Sequence, residues 1–247
     1  MSNPKVSCYC PTYGRTSFLE EAIYSFLHQD YDGEKELVIL NDLEDQTLSF
    51  DHPEIKIINS KERIIPIGKK FNECISHCSG EYIFVWDDDD IFFPWKISFS
   101  IKNINSSGIF HTNQGLFEEE INKLILSANL FHSNLCMHKD CWKNTGGYTE
   151  TDASDVDTYI FNKITNLYGK ISQKIDDEEI FYIYRWSTIK SYHASLYEEN
   201  VSLKTQELVK QKILDNLEPI GNIILKPHWK YDYLEARNIF LRNNNLI

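Results

Sequence analysis

Four consecutive aspartates, Asp87-Asp88-Asp89-Asp90, follow directly on EYIFVW (81–86), a segment that is apolar from its second position. Adjacent carboxylates repel one another. Acidic residues that merely solvate a surface are usually mixed with lysine and have no buried strand before them. The chemistry that uses such a run is hard-cation binding, because carboxylate oxygens suit Mg2+ or Mn2+ and the cation removes the repulsion. Metal-free acid/base chemistry with split pKa values is a second use, but it needs fewer than four carboxylates. The EF-hand spacing of a calcium loop is absent. Cysteines are the other reactive residues, at positions 8, 10, 74, 78, 136 and 141. None has the CxxC spacing of a zinc site, so reduced, mostly buried thiols of an intracellular protein are expected.

Something must hold that acidic run at the end of a strand. KVSCYC (5–10) reads as a first strand, with Cys8 and Cys10 on one face. ELVILN (36–41) reads as a second strand, apolar enough to be buried on both sides, and EIKII (54–58) as a third. Residues 81–86 form the fourth strand. Residues 108–112, 134–138 and 179–185 look like further short strands. A helix is predicted from Ser17, with Glu20 completing a capping box. A second runs from Lys69 to Ser79 and stops at Gly80. A helical turn is expected over 139–144, closed by Gly146 and Gly147, and a helix over 155–168. From about residue 203 the pattern is helical and amphipathic. Alternation of strands and helices predicts an α/β fold with a mostly parallel sheet and helices on both faces. In such sheets ligands bind beyond the carboxyl ends of the strands. Three places qualify: the loop after Cys10, the loop after Asn41, and the acidic run.

The bulk numbers fit this plan. The 247 residues suffice for one large domain with a small appendage. A hydrophobic fraction of 42% with 13% aromatics supports a packed core and excludes disorder. The balance of 25 basic against 37 acidic residues, net charge −12, argues against a nucleic-acid partner. Neither an apolar leader nor a run of membrane-spanning length is evident, so a cytoplasmic chain is expected, soluble or peripheral at the inner membrane surface.

These segments together resemble glycosyltransferase family 2. EYIFVWDDDDIFFP is similar to the family's strand and DxD motif, VSCYCPTYGR to its opening strand and loop, and ELVILND to its second strand. GKKFNECISHCSGEYI is similar to the helix that leads to its Gly-Glu-Tyr-Ile strand. GGY before an acidic, amphipathic helix is similar to its acceptor-side segment. The resemblance covers roughly residues 5–170. It implies a GT-A fold over residues 1–200, with a nucleotide-binding half (about 1–95) and an acceptor half (about 96–200), plus a C-terminal helical appendage (201–247). It also implies an inverting, metal-dependent transfer from a nucleotide sugar, a UDP-sugar by preference, to a saccharide or lipid-linked acceptor, with Mn2+ or Mg2+. By resemblance, Pro11, Thr12, Tyr13 and Arg15 belong to the nucleotide loop, with Tyr13 stacking on the base. Asp42 accepts a uracil N–H, and Lys70 lies near the diphosphate. Asp87 and Asp88 face ribose and metal, and Asp89 ligates the metal. His193 is similar to a histidine that some members use as a further ligand. Two departures stand out. Gly14 replaces the usual Asn, and Asn41-Asp42 replaces two aspartates.

An inverting transfer needs a carboxylate to take the acceptor's proton. Asp157 shares an apolar helical face with Ile160, Phe161 and Ile164, which points it inward. Asp155 shares a face with Thr158, Tyr159 and Asn162 and remains the alternative base. The family's Glu in this helix is here Val156, and acidic residues favour helix N-termini in any case. Gly146, Gly147 and Tyr148 resemble the acceptor-pocket segment. The segment PHWKYDYLEARNIFLR (227–242) mixes aromatic and basic residues that could lie on an anionic surface. Two other functions are consistent with an acidic metal site on an α/β sheet. One is sugar-phosphate nucleotidyl transfer, which usually has a Gly-rich phosphate loop that PTYGR lacks. The other is a non-catalytic binding module.

Overall fold

The computed structural model describes residues 3–120, 123–151, 155–185, 211 and 219–246. Its centre is a six-stranded sheet in the order β4-β2-β1-β5-β10-β7, built from β1 (Val6–Thr12), β2 (Lys35–Asn41), β4 (Ile55–Asn59), β5 (Tyr82–Val85), β7 (Ile109–Phe110) and β10 (Cys136–His138). The first four are mutually parallel, and β10 runs antiparallel to both β5 and β7. The mixed α/β, mostly parallel architecture read from the sequence is therefore the one observed.

Alternation along the central strands sorts the core into two layers. Val6, Cys8 and Cys10 of β1 with Leu37 and Ile39 of β2 pack against Leu19, Ala22, Ile23 and Phe26 of helix α1 (Thr16–Leu27). Tyr9, Val38 and Leu40 face the other way. They meet Phe71, Cys74 and Ile75 of α2 (Ile67–Ser76) and Ile160, Phe161 and Ile164 of α5 (Val156–Tyr168). The six cysteines are all free and buried.

Helix α1 departs from the expected cap. It starts at Thr16, after Arg15, without a side-chain cap hydrogen bond. Glu20 instead accepts the Lys226 backbone N–H at 2.7 Å. Gly80 is not a helix stop either, since α2 ends at Ser76. A Cβ on Gly80 would meet the Ser7 backbone nitrogen at 2.6 Å, so its role is a close approach of two chains.

The strand read at 179–185 and the helical turn read at 139–144 are present, whereas other elements lacked a legible sequence pattern. The acidic run is a tight turn between β5 and β6 (Ile91–Phe92). A second sheet, β6-β11-β8-β9, joins β6 to β11 (Tyr182–Arg185), β8 (Gln114–Glu120) and β9 (Lys123–Ala128). Helices α3 (Lys96–Lys102) and α4 (Lys139–Thr145) flank β5 and β10 in sequence. The C-terminal region is not helical throughout. Residues Gly221–Ile224 form β12, parallel to β3 (Gln46–Ser49), and a final helix, α6, spans Tyr233–Asn243. Several aromatic and basic residues of 227–242 turn toward their own domain, while His228, Tyr231 and Arg242 are exposed. Trp229 donates to Ser25, Tyr233 is buried, and Arg237 donates to the carbonyls of Ile180 and Glu178. Among the described residues no helix is long and apolar enough to cross a membrane.

Candidate functional site

The acidic turn lies where β1, β2 and β5 end, and each carboxylate has its own partners. The Thr12 hydroxyl donates to Asp88 at 2.5 Å. Arg15, just before α1, donates to Asp88 through Nε at 3.2 Å and through Nη2, and to Asp89 through Nη1 at 2.5 Å. Ser133 donates to Asp87. Asp90 points away from this group and accepts from the Tyr182 hydroxyl at 2.6 Å and the Arg185 backbone N–H at 3.0 Å. Asp90 thus anchors the turn to β11, while Asp88 and Asp89 face the loop after β1.

Desolvation dominates the electrostatics of this turn. Burial raises the Asp87 carboxyl, and repulsion from Asp89 and Asp157 pushes it further up. Burial also pushes Asp88 up to about 6 although Arg15 opposes it. Asp90 is raised well above the usual range by burial and by repulsion from Asp89 and Asp87. For Arg15, burial favours the neutral form, but Asp88, Asp89 and Asp87 outweigh it and the pKa rises.

Beside β1 and β2 lies a second polar pocket. Asp42, with no exposed surface, accepts from Arg63 Nη1 and Lys70 Nζ on Oδ1, each at 2.5 Å, and from the Ile64 N–H on Oδ2 at 2.8 Å. The Arg63 guanidinium lies over the Tyr13 ring, 3.6 Å from its centroid, a stacked cation–π contact. Lys70 also donates to the Thr12 carbonyl at 2.6 Å. Its buried ammonium therefore braces the β1 loop against Asp42. Pro11 lies within β1, opposite Leu40.

On the other side of the acidic turn, α5 brings Asp157 to His132, whose Nδ1 is 3.3 Å from Asp157 Oδ1. Asp157 is half exposed and close enough to push up the Asp87 carboxyl. Asp155 is exposed at the start of α5 and makes no side-chain cap. Val156 packs in the core. Gly146 ends α4 in the left-handed region at φ 74°. Gly147 follows at φ 76°, where a Cβ would meet Asn72 Oδ1 at 2.7 Å. Asn72 clamps the Tyr148 backbone, accepting from its N–H at 2.9 Å and donating to its carbonyl at 3.0 Å. The buried Tyr148 hydroxyl is bonded to Tyr9 and His132.

The residues singled out from the sequence thus fall into three adjoining groups. Thr12, Arg15, Asp87, Asp88 and Asp89 gather at the acidic turn, Tyr13, Asp42 and Lys70 in the polar group beside it, and Asp157 with the buried Tyr148 on the α5 side. His193 lies outside the described residues. Sequence reasoning missed Arg63, Ser133, His132 and Arg185. His132 and Arg185 had no motif around them, and nothing at Arg63 or Ser133 marks which strand ends they face.

The acidic turn also fits a hard divalent cation. Its donors are buried carboxylate oxygens, and Arg15 is the cation that bridges Asp88 and Asp89. Among the described residues, no three His, Cys, Asp or Glu side chains form a ready-made metal cage.

The mixed α/β, mostly parallel fold is similar to that of solved glycosyltransferase structures. Residues 7–108 match the family described as glycosyl transferase family 2. Over 129 residues it is 32% identical to the GalNAc(5)-diNAcBac-PP-undecaprenol beta-1,3-glucosyltransferase of Campylobacter jejuni, covering 48% of this chain and 40% of that protein. The chain spans less than half the length of the curated relatives it matches. Solved structures with a similar fold include S. aureus TarS 1-349 in complex with UDP-GlcNAc (TM-score 0.58, 14% identity, 98% of this chain and 72% of that one). Another is the mannosyltransferase PcManGT from Pyrobaculum calidifontis in complex with GDP-Man and Mn2+ (TM-score 0.58, 14% identity, 100% and 81%).

Proposed function

We propose that this chain transfers a sugar, with inversion, from a UDP-sugar to a saccharide acceptor, free or lipid-linked, and that a divalent cation is bound at Asp87–Asp89. The observation that carries this reading is the buried acidic turn at the ends of three parallel strands, bridged by Arg15 and close enough to Asp157 to feel its charge. When bound, Mn2+ or Mg2+ supplies Lewis-acid stabilisation of the diphosphate leaving group. Asp89 is the first candidate ligand, with Asp87 and Asp88 beside it and Arg15 releasing its pairs as the donor enters. Asp157 takes the proton of the acceptor hydroxyl.

The Asp42 pocket supports uracil over guanine. A carboxylate has about four lone-pair sites. Arg63 and Lys70 use Oδ1, and Ile64 N–H uses one site on Oδ2. One site on Oδ2 remains for a single imide N–H such as that of uracil. The paired N–H groups of guanine would need both oxygens. The Tyr13 ring, capped by Arg63, provides the flat face against which the base stacks.

A thermal-shift panel tests the proposal with UDP-GlcNAc, UDP-glucose and GDP-mannose, each with and without MnCl2. Saturating ligand at about 100 times its Kd contributes roughly 2.7 kcal/mol, a readable shift. A UDP-sugar should stabilise the protein most, and only with Mn2+. Asp89→Asn should abolish the Mn2+-dependent part. Equal shifts for wild type and D89N, or no shift with any donor, would overturn the assignment.

A further inference from the structure

Behind the cleft, a line of buried hydrogen-bonding groups runs from the central sheet to Asp157. The Tyr9 hydroxyl, on β1, is 2.5 Å from the Tyr148 hydroxyl. The Tyr148 hydroxyl is 2.6 Å from His132 Nε2. His132 Nδ1 in turn faces Asp157 Oδ1 at 3.3 Å. Both tyrosines and the histidine are buried. The imidazole is wedged between Phe71 and Phe161, with ring centroids 5.4 and 6.3 Å away, so it has little freedom to turn.

Proton counting gives this line a direction. Burial raises the pKa of both tyrosines well above the ordinary phenol, so each keeps its proton. If Tyr148 donated to Tyr9, the Tyr9 proton would need a different acceptor, and its hydrogen bond is to Tyr148. Leaving a buried donor unsatisfied is costly. The satisfied arrangement therefore runs Tyr9 to Tyr148 to His132 Nε2. Nε2 is then the acceptor, and the neutral ring carries its proton on Nδ1. That N–H lies on the side of the Asp157 carboxylate, with Nδ1 3.3 Å from Oδ1.

We propose that His132 is the positioning residue for the base, held as the Nδ1–H tautomer by Tyr9 and Tyr148 so that it orients Asp157 through Oδ1 and leaves Oδ2 for the acceptor hydroxyl. This rests on the assignment of Asp157 as base. Contacts of this length, 3.3 Å here, tighten in the reactive complex. His132 touches neither donor nor acceptor in this scheme. It acts only through Asp157, as an orienting partner does in other base–orienter pairs.

The tautomer can be read without any substrate. Long-range proton–nitrogen spectra of protein labelled with 15N-histidine, with the His132 signals identified by their loss in H132Q, should show the Nδ1–H form. Tyr148→Phe should release that preference. An Nε2–H ring in wild type would overturn the proposal whatever the activity. Kinetics supply the second arm, with UDP release from UDP-GlcNAc and MnCl2, water serving as acceptor. H132Q places its amide toward Tyr148 and loses the donor to Asp157. Its kcat should fall roughly 10- to 100-fold, part of the 10²–10⁴ that a general base contributes, with donor KM unchanged. H132N, whose amide nitrogen overlies Nδ1, should recover most of the rate. On a D157N background, H132Q should cost nothing more. If D157N loses activity while H132Q keeps it, the positioning role fails and the base assignment stands. If D157N keeps activity, the base assignment fails and this proposal falls with it.

Discussion

Glu21 offers the sharpest test of how the C-terminal segment is tied to the acidic turn. It lies on α1 with no exposed surface. Its Oε2 pairs with Arg185 Nη1 at 2.6 Å, with Lys230 Nζ at 3.5 Å. Its Oε1 accepts from the Tyr233 hydroxyl at 2.9 Å and the Lys230 backbone N–H at 3.0 Å. Arg185 also donates from Nε to the Asp89 carbonyl at 2.5 Å and from its backbone N–H to Asp90. Glu21→Gln keeps the shape and removes the charge. Every neighbour is a donor, so either orientation of the amide sets its NH2 against another N–H or O–H. The Arg185 guanidinium also loses the carboxylate it pairs with. Breaking one side of such a pair costs about 3–5 kcal/mol, a large part of the roughly 5–15 kcal/mol that holds a domain together. For a chain of this size each kcal/mol moves Tm by about 2–4 °C, so E21Q should melt roughly 10 °C below wild type. Thermal unfolding and urea titration read this directly. The double variant E21L/R185M, which removes both charges, should recover part of the loss. An E21Q protein that melts within about 2 °C of wild type would refute the reasoning, because the pair would then be too well solvated to matter.

Three further outcomes follow. Lys96 is buried and donates to the carbonyls of Val85 and Ser133, and burial lowers its pKa to about 7. The unfolded chain therefore holds more protons than the folded one between pH 7 and the ordinary lysine value. Stability from this group should rise by about 1 kcal/mol from pH 7 to pH 8, and K96M should lose that slope in urea titrations at the two pH values. Gly147→Ala would force a side chain onto a positive φ and push Asn72 off the Tyr148 backbone. A loss of about 1–3 kcal/mol in urea denaturation is expected. Burial raises the thiol pKa at all six cysteines, to about 12 at Cys74. Iodoacetamide should therefore leave all six unmodified in the folded protein and label all six in urea, by mass spectrometry.

Legibility varied along the chain for physical reasons. KVSCYC, ELVILN and EYIFVW are buried on both faces, and burial leaves uninterrupted apolar runs that any parallel strand must show. Apart from β11, read as a strand over 179–185, the second sheet left no such trace. Its strands include the two-residue β6, and β9 has exposed positions that dilute the pattern. The helix start at Thr16 was misread as a capping box because Glu20 had a competing partner, Lys226, more than 200 residues away. The C-terminal region read as helix throughout. Its segment at Gly221–Ile224 is a strand because β3 offered an open edge to pair with.

The site divides the same way. The acidic run, the loop after β1 and Asp42 could be found in one dimension, because strand ends of a parallel sheet collect ligands and the run is chemically conspicuous. Asp157 was inferred from helical periodicity, which says which way a side chain faces but not what it meets. His132, Ser133, Arg63 and Arg185 enter only through contacts between residues far apart in the chain: Ser133 with Asp87, Arg63 with Tyr13 and Asp42, and Arg185 with Glu21 and Asp89. Composition and spacing fix where backbone and apolar residues go, since those depend on near neighbours. Which charges are buried together, and which groups then hold or surrender protons, depends on distances that exist only after the chain has closed on itself.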